Sequence, residues 1–309
     1  MDNFMEELLK QLQGRKNDEY EFQIMEMTKR NDNHKTSLCV RQRGNAIGVN
    51  LYMDDLVRRY ETKDCNMEAL VEDILVQLKE RLLDSSFTAT AIEQLSVIRD
   101  YEVMKDRVLF RIVNEEANRD YLKNSVYVPF LDFAICFYLV VGGGEDTGTI
   151  HLTKDIFNTW GVSVEEVYQQ AMKNTPILMP YQFKNIADIL AGMMAEDSFS
   201  QFMNPPEFDE KNFSMWVLGN EKQMFGAGAI LYDGLMKEIS ERIGAKDIVI
   251  LPSSVHECIL LPLTDAMDTY YLRSMVHEVN VTNVEPEDRL SENVYLYSRT
   301  SDEISILTE

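Results

Sequence analysis

Met224-Phe-Gly-Ala-Gly-Ala-Ile-Leu-Tyr232 leads through a run of helical spacing to Ile248-Val-Ile-Leu-Pro-Ser-Ser-Val-His-Glu-Cys-Ile-Leu-Leu-Pro-Leu263. Gly226 and Gly228 open this stretch. The apolar positions from Ala227 to Ile243 recur at helical intervals, and Gly244 is the stop such a helix needs. Two apolar runs, Ile248 to Leu251 and Cys258 to Leu263, read as strands flanking a polar loop that holds Ser253, Ser254, His256 and Glu257. Working outward, a strand is expected at Phe213 to Leu218, a helix at Asp265 to Val279 and a strand at Val294 to Ser298, with Glu303-Ile-Ser-Ile-Leu as a further edge strand. The order β-α-β-β-α-β predicts a split βαβ, ferredoxin-like arrangement in which two helices cover one face of an antiparallel sheet.

Asn204-Pro205-Pro206, after a Met-rich polar stretch, marks a boundary between an N-terminal α+β region (1–204) and a C-terminal domain (205–309). Within the first region, Phe4, Leu8, Leu9 and Leu12 predict a short amphipathic helix stopped by Gly14. Tyr20-Glu-Phe-Gln-Ile-Met-Glu-Met, Ser37-Leu-Cys-Val-Arg and Ala46-Ile-Gly-Val-Asn-Leu-Tyr predict an antiparallel meander with one wet face. Helices follow from Asp54 and from Met67 to Leu83, where Leu70, Ile74, Leu78 and Leu82 recur every four residues. Residues 84–104 connect to a second unit. There Leu131 to Val141 reads as a central strand buried on both faces, Gly142 to Gly148 as a hairpin, and Ser163-Val-Glu-Glu as a capping box that launches a helix from Val164 to Lys173. A further helix is expected at Asn185 to Ala195. The fold class is α+β, with mostly antiparallel sheets.

The chain carries 52 acids against 30 bases, net −22, and its last third (201–309) holds 19 acids and 8 bases, net −11. Such a surface repels a phosphate backbone, so direct nucleic-acid binding is disfavoured; the charge reads first as a solubilising surface, and in the sharper reading the acidic face docks on a basic protein, a nucleic-acid-binding protein or nuclease among the candidates. No apolar run approaches the roughly 20 residues of a membrane helix, and the first residues are acidic where a secretory signal is basic. A soluble, cytoplasmic protein is expected. Cys39, Cys65, Cys136 and Cys258 are scattered with no Cys-x-x-Cys pair, as buried free thiols in a reducing compartment would be.

The Ser253 to Glu257 loop brings hydroxyls, an imidazole and a carboxylate together, but the elbow that exposes a nucleophilic serine is missing. Its His-Glu pair also lacks the second histidine of a zincin. Ser253 and Ser254 therefore read first as turn residues and His256 as locally bonded. Val-His-Glu recurs at Val276 to Glu278 without metal spacing, and no metal or cofactor is expected. Gly226 and Gly228 could open a helix N-terminus to an anion, yet no dinucleotide or phosphate-loop fingerprint accompanies them, and close packing explains the small residues. Paired acids at helix starts, such as Asp54-Asp55 and Glu165-Glu166, suit the helix dipole.

Gly226 to Tyr232, Ile250 to Leu260, Met275-Val-His-Glu-Val-Asn280 and Leu290-Ser-Glu-Asn-Val-Tyr-Leu-Tyr297 together resemble an uncharacterised bacterial family known only as a domain of unknown function, common in gut anaerobes and among mobile-element genes. Trp160 to Tyr168 and Val113 to Asn118 are similar to it too. Where that family tends to carry a threonine, this chain has Gly219 before Asn220. The resemblance implies a bacterial cytoplasmic protein and transfers no catalytic residue. Two functions are therefore expected to compete. One is a non-enzymatic acidic interaction or inhibitor protein docking on a basic surface. The other is a small-molecule binder or hydrolase using Ser253, Ser254, His256, Glu257 and Asn220 beside the Gly226 and Gly228 helix start.

Overall fold

The computed structural model describes residues 2–16, 18–43, 48–62, 66–83, 93, 95–143, 146–189, 191 and 215–308. The boundary expected at Pro205-Pro206, the methionines before it, residues 84–92 and 94 of the 84–104 connection and the hairpin tip at 144–145 lie outside them. Among the described residues Cys39, Cys136 and Cys258 are free thiols.

The N-terminal unit begins with helix α1 (Asp2–Lys16), which continues past Gly14 instead of stopping there. Arg15, one of the two residues beyond Gly14, is held there by its guanidinium, which bridges Glu68 and Glu72 at 3.5 and 3.2 Å. Strands β1 (Tyr20–Thr28), β2 (His34–Gln42) and β3 (Gly48–Tyr52) form the expected antiparallel meander. Helices α2 (Met53–Glu61) and α3 (Met67–Leu83) cover it. Spacing by four places Leu70, Ile74 and Leu78 on one stripe of α3, where they pack with Leu8, Leu12, Leu38 and Val40. This cluster shares no residue with the main core that follows.

The main core is built on β6 (Phe133–Gly143), the strand whose unbroken apolar run predicts burial on both faces. It pairs on one edge with β4 (Val108–Asn114) and on the other with β5 (Tyr127–Phe130) and then β7 (Asp146–His151), all antiparallel. Helix α4 (Lys154–Trp160) is capped by Thr153, and Gly161 ends it in the left-handed conformation. Helix α5 (Val164–Leu178) starts at the expected capping box: Ser163 Oγ accepts the Glu166 N–H at 3.2 Å and the Glu166 carboxylate accepts the Ser163 N–H at 2.9 Å. Ser163→Ala should lower stability by about 1 kcal/mol, read as a shift of the urea midpoint at constant slope. α5 runs past Lys173 because the next two residues have partners on β4. Asn174 donates to the carbonyls of Lys105 and Val108 at 2.8 and 2.9 Å, and Thr175 Oγ1 accepts the Phe110 N–H at 3.1 Å.

A six-stranded antiparallel sheet completes the molecule in the order β13-β12-β10-β11-β9-β8. Its members are β8 (Tyr181–Asn185), β9 (Trp216–Asn220), β10 (Asp247–Pro252), β11 (Cys258–Pro262), β12 (Tyr295–Ser298) and β13 (Glu303–Ile306). The helix expected from Asn185 follows directly on β8, residues 186–189 and 191 being helical and the rest of it lying outside the described residues; β8 itself was not expected, and through it this sheet draws strands from both sides of Pro205-Pro206.

The α+β class and antiparallel sheets agree with the sequence reading, and the β-α-β-β-α-β series is present as two interleaved split βαβ units. One expectation is corrected: the helices do not share a face. Side chains of β10 alternate between the layers, Ile248 and Ile250 packing with Leu235, Met236 and Ile239 of helix α6 (Leu235–Arg242), and Val249 and Leu251 with Leu272 and Val276 of helix α7 (Thr269–Asn283). β12 accordingly pairs with β10, the second strand of the series, where a ferredoxin-like order would pair it with the first. The long helix expected from Ala227 is also two pieces. Gly226–Leu231 is a 3₁₀ segment, and α6 begins only after Gly234, whose φ of 69° breaks the path.

Candidate functional site

Ser253, Ser254, His256 and Glu257 lie between β10 and β11, opposite the turn that follows β9. That turn is built by Asn220, a buried side chain whose Nδ2 donates to the Met224 carbonyl at 2.7 Å and whose Oδ1 accepts the Met224 N–H at 3.1 Å. Closing it places Gln223 and Phe225 at φ of 52° and 56°, an unusual conformation for side chains of this size. Gly226 then passes so close to the opposite loop that a Cβ there would lie 2.5 Å from both the Asn220 nitrogen and the His256 carbonyl oxygen. Gly228 lies against the Phe110 ring. The glycines thus serve close approach, and the α-helix that was to open toward an anion starts at Leu235.

Of the expected site residues, Asn220, Ser254, His256 and Glu257 do meet, around an open pocket of about 450 Å³ whose other walls include Gln182 and Lys184 of β8. Their polar atoms are largely committed. Ser254 Oγ accepts the His256 N–H at 3.0 Å, the local turn bond the sequence suggests. His256 Nδ1 accepts the Phe225 N–H at 3.2 Å, which leaves the proton on Nε2, 3.5 Å from the Asp288 carboxylate. Ser253 shares the loop but not the pocket wall. Among the described residues no hydroxyl is presented to His256 as a nucleophile to its base. A larger cleft of about 710 Å³ between Glu115, Arg119, Lys123 and Glu292 interleaves both signs of charge.

The pocket backs onto a cluster the sequence reading misses. Phe225 stacks on the His256 ring, with centroids 5.8 Å apart and planes 16° apart, and it carries two guanidinium groups, Arg30 at 5.0 Å and Arg111 at 4.6 Å from its centroid. Arg111 sits in β4 with 7 % of its surface exposed. Among the described residues no carboxylate lies within ion-pair distance of it, and its Nε has no acceptor. The rings of Tyr121, Tyr138 and Phe225 surround the cation instead, a desolvated cation–π arrangement.

A directed chain of hydrogen bonds starts there. Arg111 donates to the Tyr121 hydroxyl, which donates to His151 Nδ1 at 2.9 Å; His151 Nε2 donates to Ser125 Oγ at 2.8 Å, and Ser125 donates to the Tyr121 carbonyl at 2.7 Å. The Ser125 hydroxyl is spent on that carbonyl, so His151 must be its donor and not its base. With 1 % exposure Ser125 is no nucleophile. Burial first, and the Arg111 charge second, hold the His151 imidazole down at about 4. Burial pushes the neighbouring Cys136 thiol up to about 12, partly offset by Arg111. The one local sign of all this is an arginine inside an otherwise apolar strand, Val-Leu-Phe-Arg-Ile-Val.

Another exposed feature is α7, on the outer layer. Its inner stripe, Leu272, Val276 and Asn280, is buried, while Tyr270, Tyr271 and Val281 stand 74, 66 and 55 % exposed. Asp265, Asp268 and Glu278 surround them in sequence, Asp268 capping the helix by accepting the Tyr270 N–H at 2.8 Å. Among the described residues, no group of three or more His, Cys, Asp or Glu side chains is arranged to hold a metal, and no helix is long and apolar enough to cross a membrane.

No curated protein and no solved structure matches the chain. One protein family does, over residues 1–299, so the pocket, the Arg111 cluster and the α7 face all fall within its span. The chain belongs to that family, DUF5688, a family of unknown function.

Proposed function

We propose that this protein is a non-enzymatic, acidic interaction protein of a bacterium or its mobile element, acting in the cytoplasm, whose C-terminal part docks through α7 on a basic protein surface. The observation that carries the proposal is the outer face of α7, where two exposed tyrosines stand among acids in the third of the chain with net charge −11. Exposed aromatic anchors in a segment whose charge is mostly of one sign suit a protein interface whose association is steered by the partner's opposite charge. The 450 Å³ pocket at His256 favours a small-molecule or hydrolase reading, but its side chains are held by turn and backbone bonds, which leaves that reading second.

The test is affinity capture from bacterial lysate at low salt, comparing the wild-type chain with Tyr270→Ala/Tyr271→Ala. A basic protein should be retained by the wild type, be released by about 0.5 M salt, and bind the variant at least about tenfold more weakly, while the variant's melting temperature stays unchanged. Capture of nothing, or of a partner indifferent to both salt and the two tyrosines, rejects the proposal.

A further inference from the structure

The connection between β1 and β2 (29–33) is centred on the 3₁₀ tripeptide Arg30-Asn31-Asp32, with Asn31 and Asp32 at φ of 55° and 45°. Asn and Asp are the side chains that tolerate this region, so the turn is shaped to project all three residues away from its own hairpin. Each lands on a partner more than 80 residues away. The Asn31 N–H donates to Asn118 Oδ1 and Asn118 Nδ2 donates back to Asn31 Oδ1, both at 2.7 Å, and Asn118 is fully buried. Asn31 Nδ2 donates to the carbonyls of Pro286 and Arg289, again at 2.7 Å. The Asp32 carboxylate accepts the N–H groups of Asp120 and Tyr121 at 2.9 and 2.8 Å. Arg30 reaches the Asp288 carboxylate at 2.6 Å and the Glu287 carbonyl at 3.1 Å while lying on the Phe225 ring.

Backbone carbonyls and N–H groups, a buried carboxamide, a carboxylate and an aromatic face thus read a guanidinium, a carboxamide and a carboxylate in order. The apolar cores on either side contribute no shared residue to this junction. A pocket of about 370 Å³ continues beside Asn31, and Asn280, on its wall, is buried with no partner for Oδ1. The receiving surface therefore has more recognition capacity than the tip uses.

We propose that this socket is a peptide-recognition site for an Arg-Asn-Asp turn, which the chain fills with its own β1–β2 tip, so that the N-terminal unit is held to the body by an exchangeable latch. Tethering gives the tip an effective concentration in the millimolar range, enough to keep the socket filled in cis even where the bare turn binds weakly. The inference is independent of the role given to α7.

The probe is a backbone-cyclised peptide of residues 27–36, labelled for fluorescence anisotropy, and the protein is the full chain. In Arg30→Ala/Asn31→Gly/Asp32→Gly the glycines keep the turn conformation while removing the recognised groups. This variant should bind the peptide with a Kd of about 0.1 mM or tighter, about tenfold or more better than the wild type, whose socket is occupied. Adding Asn118→Ala should abolish binding, and a scrambled cycle should not bind. Should the triple variant be too unstable, Asp32→Gly alone serves: amide exchange at Asp120 and Tyr121 should quicken about 100-fold, and saturating peptide should restore protection. A folded triple variant that binds the peptide no better than the scrambled cycle, or an Asp32→Gly protein whose exchange the peptide leaves unchanged, overturns the proposal.

Discussion

Replacing Gly226 by Ala is expected to lower unfolding stability by about 3 kcal/mol or more, more than the same change at Gly228 or Gly234. A Cβ at this position meets three backbone atoms, the Asn220 nitrogen and His256 oxygen at 2.5 Å and the Gly219 carbonyl carbon at 2.9 Å. Backbone held between two paired strands cannot yield as a side chain can, so β9 and the β10–β11 loop must part to admit it. Any gain from restricting the unfolded chain is only about 0.4–1 kcal/mol and does not offset the clash. Two internal comparisons make the test specific. Gly228→Ala meets the Phe110 ring at 3.1 Å, a side chain that can shift by a few tenths of an ångström, and Gly234→Ala meets nothing within 4 Å but must adopt φ of 69°. Both should lose only about 1 kcal/mol. Urea denaturation of the three variants should rank Gly226 far above the others; a Gly226→Ala protein within about 0.5 kcal/mol of wild type would show that the β9 turn is not pinned as described.

The same glycine illustrates what the sequence records and what it does not. Close packing at Gly226 and Gly228, local bonding at Ser254 and His256, the capping box at Ser163 and the double-faced burial of β6 are all written in neighbouring residues, and each is found. The division of α6 and α7 between opposite layers was also legible in principle, because Ile248-Val-Ile-Leu251 is apolar at every position and so needs cover on both faces. Strand β8 carried a readable alternation in Tyr181-Gln-Phe-Lys, weakened by its brevity and by the helical residues after it. The break at Gly234 was hidden because Ala227 to Leu231 has the right composition for an α-helix and only the chain's approach to β11 tightens it to 3₁₀. The Arg111 cluster and the Arg30-Asn31-Asp32 junction lie beyond local reading altogether. Their meaning resides in partners 10 to 258 residues away, and a single charged residue in a strand, or a polar turn, has many uses.

The acid side of the stability curve should be governed in large part by His151. In the folded chain its imidazole titrates at about 4, held below the ordinary 6.5 by burial and then by the Arg111 charge, whereas the unfolded chain titrates normally. Between these values the unfolded state binds the extra proton. The stabilising contribution is therefore complete above about pH 6.5 and is lost progressively as pH falls toward 4, amounting to about 3 kcal/mol. His151→Gln keeps a donor and an acceptor for Ser125 and Tyr121 but cannot take up the proton, so its stability should fall less than that of the wild type over this window. Arg111→Met removes the second cause and raises the folded-state value, so it should shrink the acid loss. It also removes a buried cation that lacks a carboxylate, so its stability at pH 7 should suffer less than a broken ion pair would imply. Wild-type and His151→Gln proteins with parallel stability profiles from pH 6.5 to 4 would mean that the imidazole is not held neutral, and the directed chain from Arg111 to Ser125 would have to be redrawn with a charged histidine in it.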